Sequence, residues 1–320
     1  MRPHSALYVD AGYLLAAAAT RITGSSLRTG IQVDYNRLVH HLIGVVEERT
    51  SLPLLRVYWY DAARDGKATP TQEQIALLPR VKVRLGRVGV DGEQKGVDLR
   101  IGLDMVGHSR NGAIDTVYLL SGDDDLSEAV EEAQAQGVQV VVLAVPNASG
   151  QPQSVSRHLL FAADDLAVLP AAALDETVQH AGQTVPASGS LATAAVPNGT
   201  PTPSDIARRT ATAARHEVTT RSVASPSDAT DDWAATAESL AQAASRTWKA
   251  WQLTAAADQR QVLAAGRPSI PSDLDRALLV DASAALAMPT LTDPVRVLLR
   301  HEFWKAVDSE SLQAVSGEAE

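Results

Sequence analysis

Residues 115–126 read D-T-V-Y-L-L-S-G-D-D-D-L, and the fold turns on them. An apolar run over 116–120 stops at Ser121-Gly122, and three aspartates follow at once. Residues 127–136 then alternate Glu, Ala and Gln in a pattern that suits only a helix. Strand, tight turn and helix start make one unit of a parallel sheet, with carboxylates where such a sheet opens into its binding crevice. Two uses compete for those carboxylates. Asp125 with Glu128 three residues on fits a helix N-cap, and the run suits a helix N-terminus. Alternatively, the aspartates hold a metal ion.

The same alternation repeats on either side of this turn. Residues 5–9 are apolar and end on Asp10, and an Ala/Leu-rich segment follows Gly12. Residues 35–48 carry Leu38, Leu42, Val45 and Val46 as a helical stripe. Residues 54–60 form a second strand ending on Asp61, 65–71 a loop, and 81–88 (V-K-V-R-L-G-R-V) a half-exposed strand. After a turn-rich stretch at 89–96 come a helix over 97–106, the strand at 116–120, a helix over 128–136 and a buried strand over 138–145. Strands alternating with helices predict an α/β fold, a parallel sheet with helices on both faces.

Beyond about residue 169 the composition changes. The reading is an α/β domain over 1–170, an Ala/Thr/Pro-rich and largely disordered linker over 171–230 with a helical stub near 206–214, a helical module over 231–308, and a flexible tail over 309–320. Trp233, Ala237, Leu240, Ala244, Trp248 and Trp251 follow helical spacing. Ser272 with Asp275 resembles a helix start, and Asp293-Pro294 opens another helix. Four of the five tryptophans lie here, so the module is expected to pack a core of its own.

Composition excludes several classes. Lys and Arg total 28 against 38 Asp and Glu, a net charge of −10, which argues against a bulk electrostatic nucleic-acid binder but not against a local patch. With no cysteine there is no disulfide, thiolate metal site or thiol nucleophile. No run approaches the roughly 20 apolar residues of a membrane span, and Asp10 interrupts the apolar start, so the expectation is a cytoplasmic protein. The phosphate cradles G-x-G-x-x-G and G-x-x-x-x-G-K-[ST], and the motifs H-E-x-x-H and G-x-S-x-G, are absent.

Asp10, Asp61 and Asp123 each end a strand. If the first and fourth strands are neighbours, Asp10 and Asp123 face one crevice, with Asp125 one turn on and Asp98 opening the helix after Gly96. Unit charges 4 Å apart repel by roughly 4 kcal/mol at an effective dielectric near 20, so such a cluster calls for protonation or a cation. Oxygen ligands without cysteine select Mg²⁺ or Mn²⁺, which would activate water and hold a phosphate oxygen, the chemistry of phosphodiester hydrolysis. Asp61 reads as structural, Asp104 as a candidate to support the metal ligands from behind and Asp124 as solvent-facing. Arg80, Lys82, Arg84 and Arg87 run along the third strand, with Lys95 and Arg100 flanking Asp98. They form either a phosphate-binding stripe or an edge strand blunted by charge.

L-Y-V-D-A-G-Y at 7–13, Y-W-Y-D-A at 58–62, Q-K-G-V-D-L-R-I-G-L-D-M-V at 94–106 and L-L-S-G-D-D-D-L at 119–126 carry a resemblance, continued by G-V-Q-V-V-V-L at 137–143 and S-R-H-L-L-F-A-A-D-D-L at 156–166. Over its first 170 residues the chain resembles the NYN family of the PIN-like nuclease superfamily, in its LabA-like branch. The resemblance implies strand order 3-2-1-4-5 and a Mg²⁺- or Mn²⁺-dependent ribonuclease. Its metal-binding and catalytic set maps onto Asp10, Asp98, Asp123 and Asp125, with Ser121 nearby; the expected RNA contacts are Ser121 and, from the basic stripe, Lys95, Arg84, Arg87 and Arg100. The chain departs from the family at Tyr13, where Asn is frequent, at Asp124, where Ser or Gly is usual, and at Leu126, where an aromatic is usual. The leading expectation is an endoribonuclease acting on single-stranded RNA, and the rival is a non-catalytic module that binds RNA or a protein. The segments at 267–279 and 299–304 look like the C-terminal extension of some bacterial NYN proteins; its partner, RNA or protein, is open, as is a homodimer.

Overall fold

β1 (Ser5–Asp10) is buried from end to end. Its side chains therefore alternate between two cores. Leu7 and Val9 pack with Leu14, Leu38 and Leu42 on one face, while Ala6 and Tyr8 pack with Ile101, Met105 and Val130 on the other. A strand covered on both faces reads as a continuous apolar run, which is why 5–9 shows no alternation in sequence.

The structure, a computed structural model, describes residues 3–63, 66–88, 94–181, 228–288 and 290–317. After β1 come α1 (Ala11–Thr23), β2 (Ile31–Val33), α2 (Tyr35–Arg49), β3 (Leu54–Ala63), α3 (Pro70–Ala76) and β4 (Val81–Val88). Then follow β5 (Gln94–Lys95), α4 (Val97–Arg110), β6 (Thr116–Leu120), α5 (Ser127–Ala135), β7 (Gln139–Ala144), α6 (Arg157–Ala162), β8 (Asp165–Val168), α7 (Ala171–Asp175) and β9 (Val178–His180). The C-terminal helices are α8 (Asp228–Gln252), α9 (Ala257–Ala265), α10 (Ser272–Leu286) and α11 (Asp293–Gly317).

The main sheet has the order β5-β4-β3-β1-β6-β7-β8. All its pairs are parallel except β4 with β5. The expected five-strand order is its centre, extended by β8 on one edge and by β5 on the other. β2 and β9 pair antiparallel as a separate ribbon. The chain runs outward from β1 through β3 to β4, then returns to the other side of β1 as β6. Strand order thus reverses at β1, and the crevice opens beside its carboxyl end. Parallel register pairs Val9 with Leu120, which brings Asp10 alongside Ser121.

Several local expectations change. Residues 65–71, read as a loop, include the start of α3: Thr69 accepts the Gln72 N–H at 3.2 Å, the Gln72 side chain accepts the Thr69 N–H at 3.0 Å, and Pro70 opens the helix. β3 runs to Ala63, so Asp61 lies within the strand. Residues 171–180 form α7 and β9, while most of the expected linker, with the stub at 206–214, lies outside the described residues. The backbone of α11 continues to Gly317, past the boundary expected at 308. Asp275 does not help cap α10, which begins after Pro271 without a side-chain cap. It instead takes both Arg300 donors at 2.8 Å.

The C-terminal helices enclose Trp248, Trp251, Leu278, Leu299 and Phe303, together with Leu27 from the turn after α1. Their core is therefore shared with the α/β part, and residues of both belong to one compact unit. Asp281 of α10 fastens the join. Its buried carboxylate accepts the Ser25 hydroxyl at 2.7 Å, the Ser26 N–H at 2.8 Å and the Thr247 hydroxyl at 2.7 Å. A buried carboxylate is tolerated only when so bonded. Among the described residues no helix is long and apolar enough to cross a membrane.

Candidate active site

Asp10 ends β1 and caps α1. Its carboxylate accepts the Tyr13 N–H at 3.2 Å and the Ser121 hydroxyl at 3.1 Å. Burial pushes its pKa up; the two hydrogen bonds and the Arg28 charge pull the other way. An aspartate at the end of an apolar strand is held there by these bonds.

Ser121 is fully buried, and its oxygen also receives the Asp123 N–H at 3.3 Å. It therefore links Asp10 to the aspartate turn and leaves nothing to an RNA, a correction to its expected role. Asp123 accepts the Asp125 N–H at 3.1 Å and so caps the 3-10 turn Asp124–Leu126. The cap expected of Asp125 is not formed, because the chain enters α5 through that turn and α5 has no side-chain cap of its own. Asp124 is exposed, as expected, yet it is engaged: it accepts from the Ser156 hydroxyl at 2.5 Å and contacts His158 Nδ1 at 3.0 Å, tying the turn to the start of α6. Gly122 has no room for a side chain. A Cβ there would lie 2.0 Å from the Ser154 carbonyl oxygen and 2.8 Å from the Tyr13 ring. Ser154 itself is left-handed at φ 51.

Asp98 stands in the first turn of α4, after Gly96 at φ 76. Burial, then the charges of Asp123, Asp10 and Asp125, push its pKa up to about 6. The four carboxylates thus share one electrostatic field. Asp10, Asp98 and Asp123 line a cavity of about 1030 Å³, whereas Asp125 is exposed and outside that lining.

Among the described residues, no three acidic or histidine side chains are disposed to hold an ion as they stand. The donors are nevertheless all carboxylate oxygens, and Mg²⁺ commonly keeps several waters and takes only one or two carboxylates from the protein. Asp98 and Asp123 are only partly buried and carry the repulsion that a cation would relieve. The residues fit a hard divalent ion.

Two residues of the expected basic stripe, Arg84 and Arg80, are already paired within the chain. Arg84 makes a bidentate pair with Asp104, at 2.7 and 2.5 Å, and Asp104 also accepts the Tyr60 hydroxyl at 3.1 Å. Arg80 pairs with Glu47 at 2.7 Å. Arg100 is exposed and outside the cavity lining. Arg87 and Lys95 face each other in the β4–β5 register, and their side chains lie outside the described residues. Asp61 binds Gln72 Nε2 at 2.7 Å, a structural use. Tyr13, where the resembled family often has Asn, braces the site: its hydroxyl donates to the Gln153 carbonyl at 2.7 Å and accepts the Val145 N–H at 3.2 Å. The cations that do line the cavity are Arg28 and Arg276, neither of which the sequence singled out.

An 87-residue stretch, 27% of the chain, is 40% identical to the uncharacterized protein y4oD of Sinorhizobium fredii (strain NBRC 101917 / NGR234). That stretch spans 41% of the relative's length. A crystal structure of a protein of unknown function, VPA0982 from Vibrio parahaemolyticus RIMD 2210633, is 24% identical, with 53% of this chain and 94% of that one covered at a TM-score of 0.39. The profile of the NYN domain matches residues 4–170. With that match over more than half its length, the chain belongs to the NYN domain family, a PIN-like nuclease family.

Proposed function

We propose that the protein is a metal-dependent endoribonuclease that hydrolyses RNA phosphodiester bonds in the cavity lined by Asp10, Asp98 and Asp123. One observation carries the reading: Asp10, Asp98 and Asp123 line one cavity beside the carboxyl end of β1, where strand order reverses. Uncompensated charge in a cleft is the mark of a site built for a partner. Asp98 and Asp123 would hold the ion, with Asp10 behind them and Asp125 adding charge at the rim. A bound Mg²⁺ or Mn²⁺ supplies a Lewis acid for a phosphoryl oxygen and an acidified water. The chain's own residues fix the geometry. Ser121 orients Asp10 and the Asp123 backbone, and the close Gly122–Ser154 contact holds the loop after β7 against the turn.

The test is cleavage of labelled single-stranded RNA with Mn²⁺ by the full chain and by Asp123→Asn. Activity in the first and its loss in the second support the reading. Equal activity in both, or none in either, overturns it. A second reading, a catalytically inactive module that binds RNA or a protein, draws on one observation: among the described residues no three acidic or histidine side chains are disposed to hold an ion. Divalent-ion binding without turnover would favour it.

A further inference from the structure

The cavity is not made by the NYN domain alone. Asp273, Arg276, Ala277 and Val280 of α10 also line it. So does Arg28, in the 3-10 turn Arg28–Gly30 between α1 and β2. α10 is held in place by the buried Asp281 bonds to Ser25 and Ser26, only a few residues before Arg28. Two guanidiniums far apart in sequence are thereby delivered to the cavity that holds the carboxylates.

The environment of Arg28 suits an anion. The Arg28 side chain makes no hydrogen bond or ion pair among the described residues. Burial and the neighbouring Arg276 disfavour its charge, and the Asp61 and Asp10 charges favour it. An arginine kept charged at a cavity wall is costly to desolvate unless a ligand takes its donors. The guanidinium fork matches two oxygens of a phosphate, and two arginines sharing one phosphate exchange mutual repulsion for attraction. The chain's overall charge of −10 makes such a local pair more necessary for a polyanion.

We infer that Arg28 and Arg276 together bind a backbone phosphate of single-stranded RNA in the cavity lined by Asp10, Asp98 and Asp123, so that α10 completes the substrate site. This rests on the phosphodiester reading above and adds its phosphate-binding residues. These are positioning residues: they hold the RNA backbone in the cavity rather than the metal ion.

The experiment measures binding apart from turnover. A fluorescently labelled oligouridylate is titrated with the full chain in EDTA, across a series of salt concentrations, using the wild type, Arg28→Gln, Arg276→Gln and the double variant. Each single variant is expected to weaken binding by roughly tenfold. The double variant is expected to lower the slope of log affinity against log salt by about 0.7, the value for one single-strand phosphate contact. Arg276→Lys, which keeps the charge and loses the fork, is expected to fall between, and it stands in if Arg276→Gln melts early. Wild-type affinity and slope in every variant overturn the inference, as does a wild type that binds no RNA. If the variants bind like the wild type while Asp123→Asn abolishes cleavage, the arginine pair is wrong and the nuclease reading stands. If RNA affinity falls as expected while Asp123→Asn cleaves normally, the arginine pair stands and the metal site does not.

Discussion

The Ser121 hydroxyl donates to the Asp10 carboxylate at 3.1 Å, joining the carboxyl ends of two neighbouring parallel strands. The same oxygen accepts the Asp123 N–H, so one buried serine sets the relation between the two strand-end aspartates. Because its hydrogen bond favours the charged form of Asp10, Ser121→Ala is expected to raise the Asp10 pKa further. The acid limb of the cleavage rate should therefore move to higher pH, with a stability loss of about 1 kcal/mol. A pH–rate profile and a denaturant melt check both. An unshifted acid limb would show that Asp10 does not titrate in the reaction.

Asp98 gives a stability signature without any substrate. Its pKa is up at about 6 in the folded chain, from an ordinary 3.8. The folded state therefore prefers the protonated group. That contribution is complete below about pH 4 and is lost as pH rises through about 6. At roughly 1.4 kcal/mol per unit, screened by partial exposure, the loss should be on the order of 1–3 kcal/mol. Asp10 shifts in the same direction. Urea melts in EDTA should show stability falling over this window, and Asp98→Asn should flatten the fall. Equal slopes in the two proteins would contradict it.

Gly122→Ala is expected to cost about 1–3 kcal/mol, because its Cβ would meet backbone rather than a movable side chain. The clash is with the Ser154 carbonyl, and the Ser156 N–H donates to the Gly122 carbonyl at 3.0 Å, so the loop cannot simply lift away. A thermal melt reads the loss directly. An unchanged melt would mean the turn and the loop do not pack this closely.

Asp281→Ala would leave the Ser25 and Thr247 hydroxyls and the Ser26 N–H without their acceptor. A cost of about 2–4 kcal/mol is expected from those stranded donors. Because Arg276 rides on the same helix, RNA affinity should fall as well. Denaturant melts and anisotropy titrations of this variant test both, and wild-type values in each would show that α10 is not fastened through Asp281.

How far the sequence carried this picture depends on range. The strands were legible because β1, β6 and β7 are covered on both faces and so appear as apolar runs, whereas their order came only with the resemblance to the NYN family. The aspartates were legible because a carboxylate at the end of an apolar strand is against propensity. Within the D-D-D run, however, only the backbone decides which residue caps. The entry through a 3-10 turn gave that role to Asp123 and left Asp125 at the rim. α3 was readable in principle, since Thr69, Pro70 and Gln72 spell a capped helix start. Arg84 looked available until folding set it against Asp104 of α4. Arg28 and Arg276 meet only because the C-terminal helices dock onto the turn after α1, and no local pattern encodes a docking.

The central claim is that Asp98 and Asp123 hold one divalent ion. Calorimetric titration of Mn²⁺ into the wild type, Asp98→Asn, Asp123→Asn and Asp124→Asn tests it most directly. Binding in the millimolar range or tighter is expected for the wild type and for Asp124→Asn, whose carboxylate faces Ser156 and His158 rather than the cavity. It should be lost in Asp98→Asn and Asp123→Asn. Binding that is the same in all four proteins, or absent from the wild type, would contradict the account.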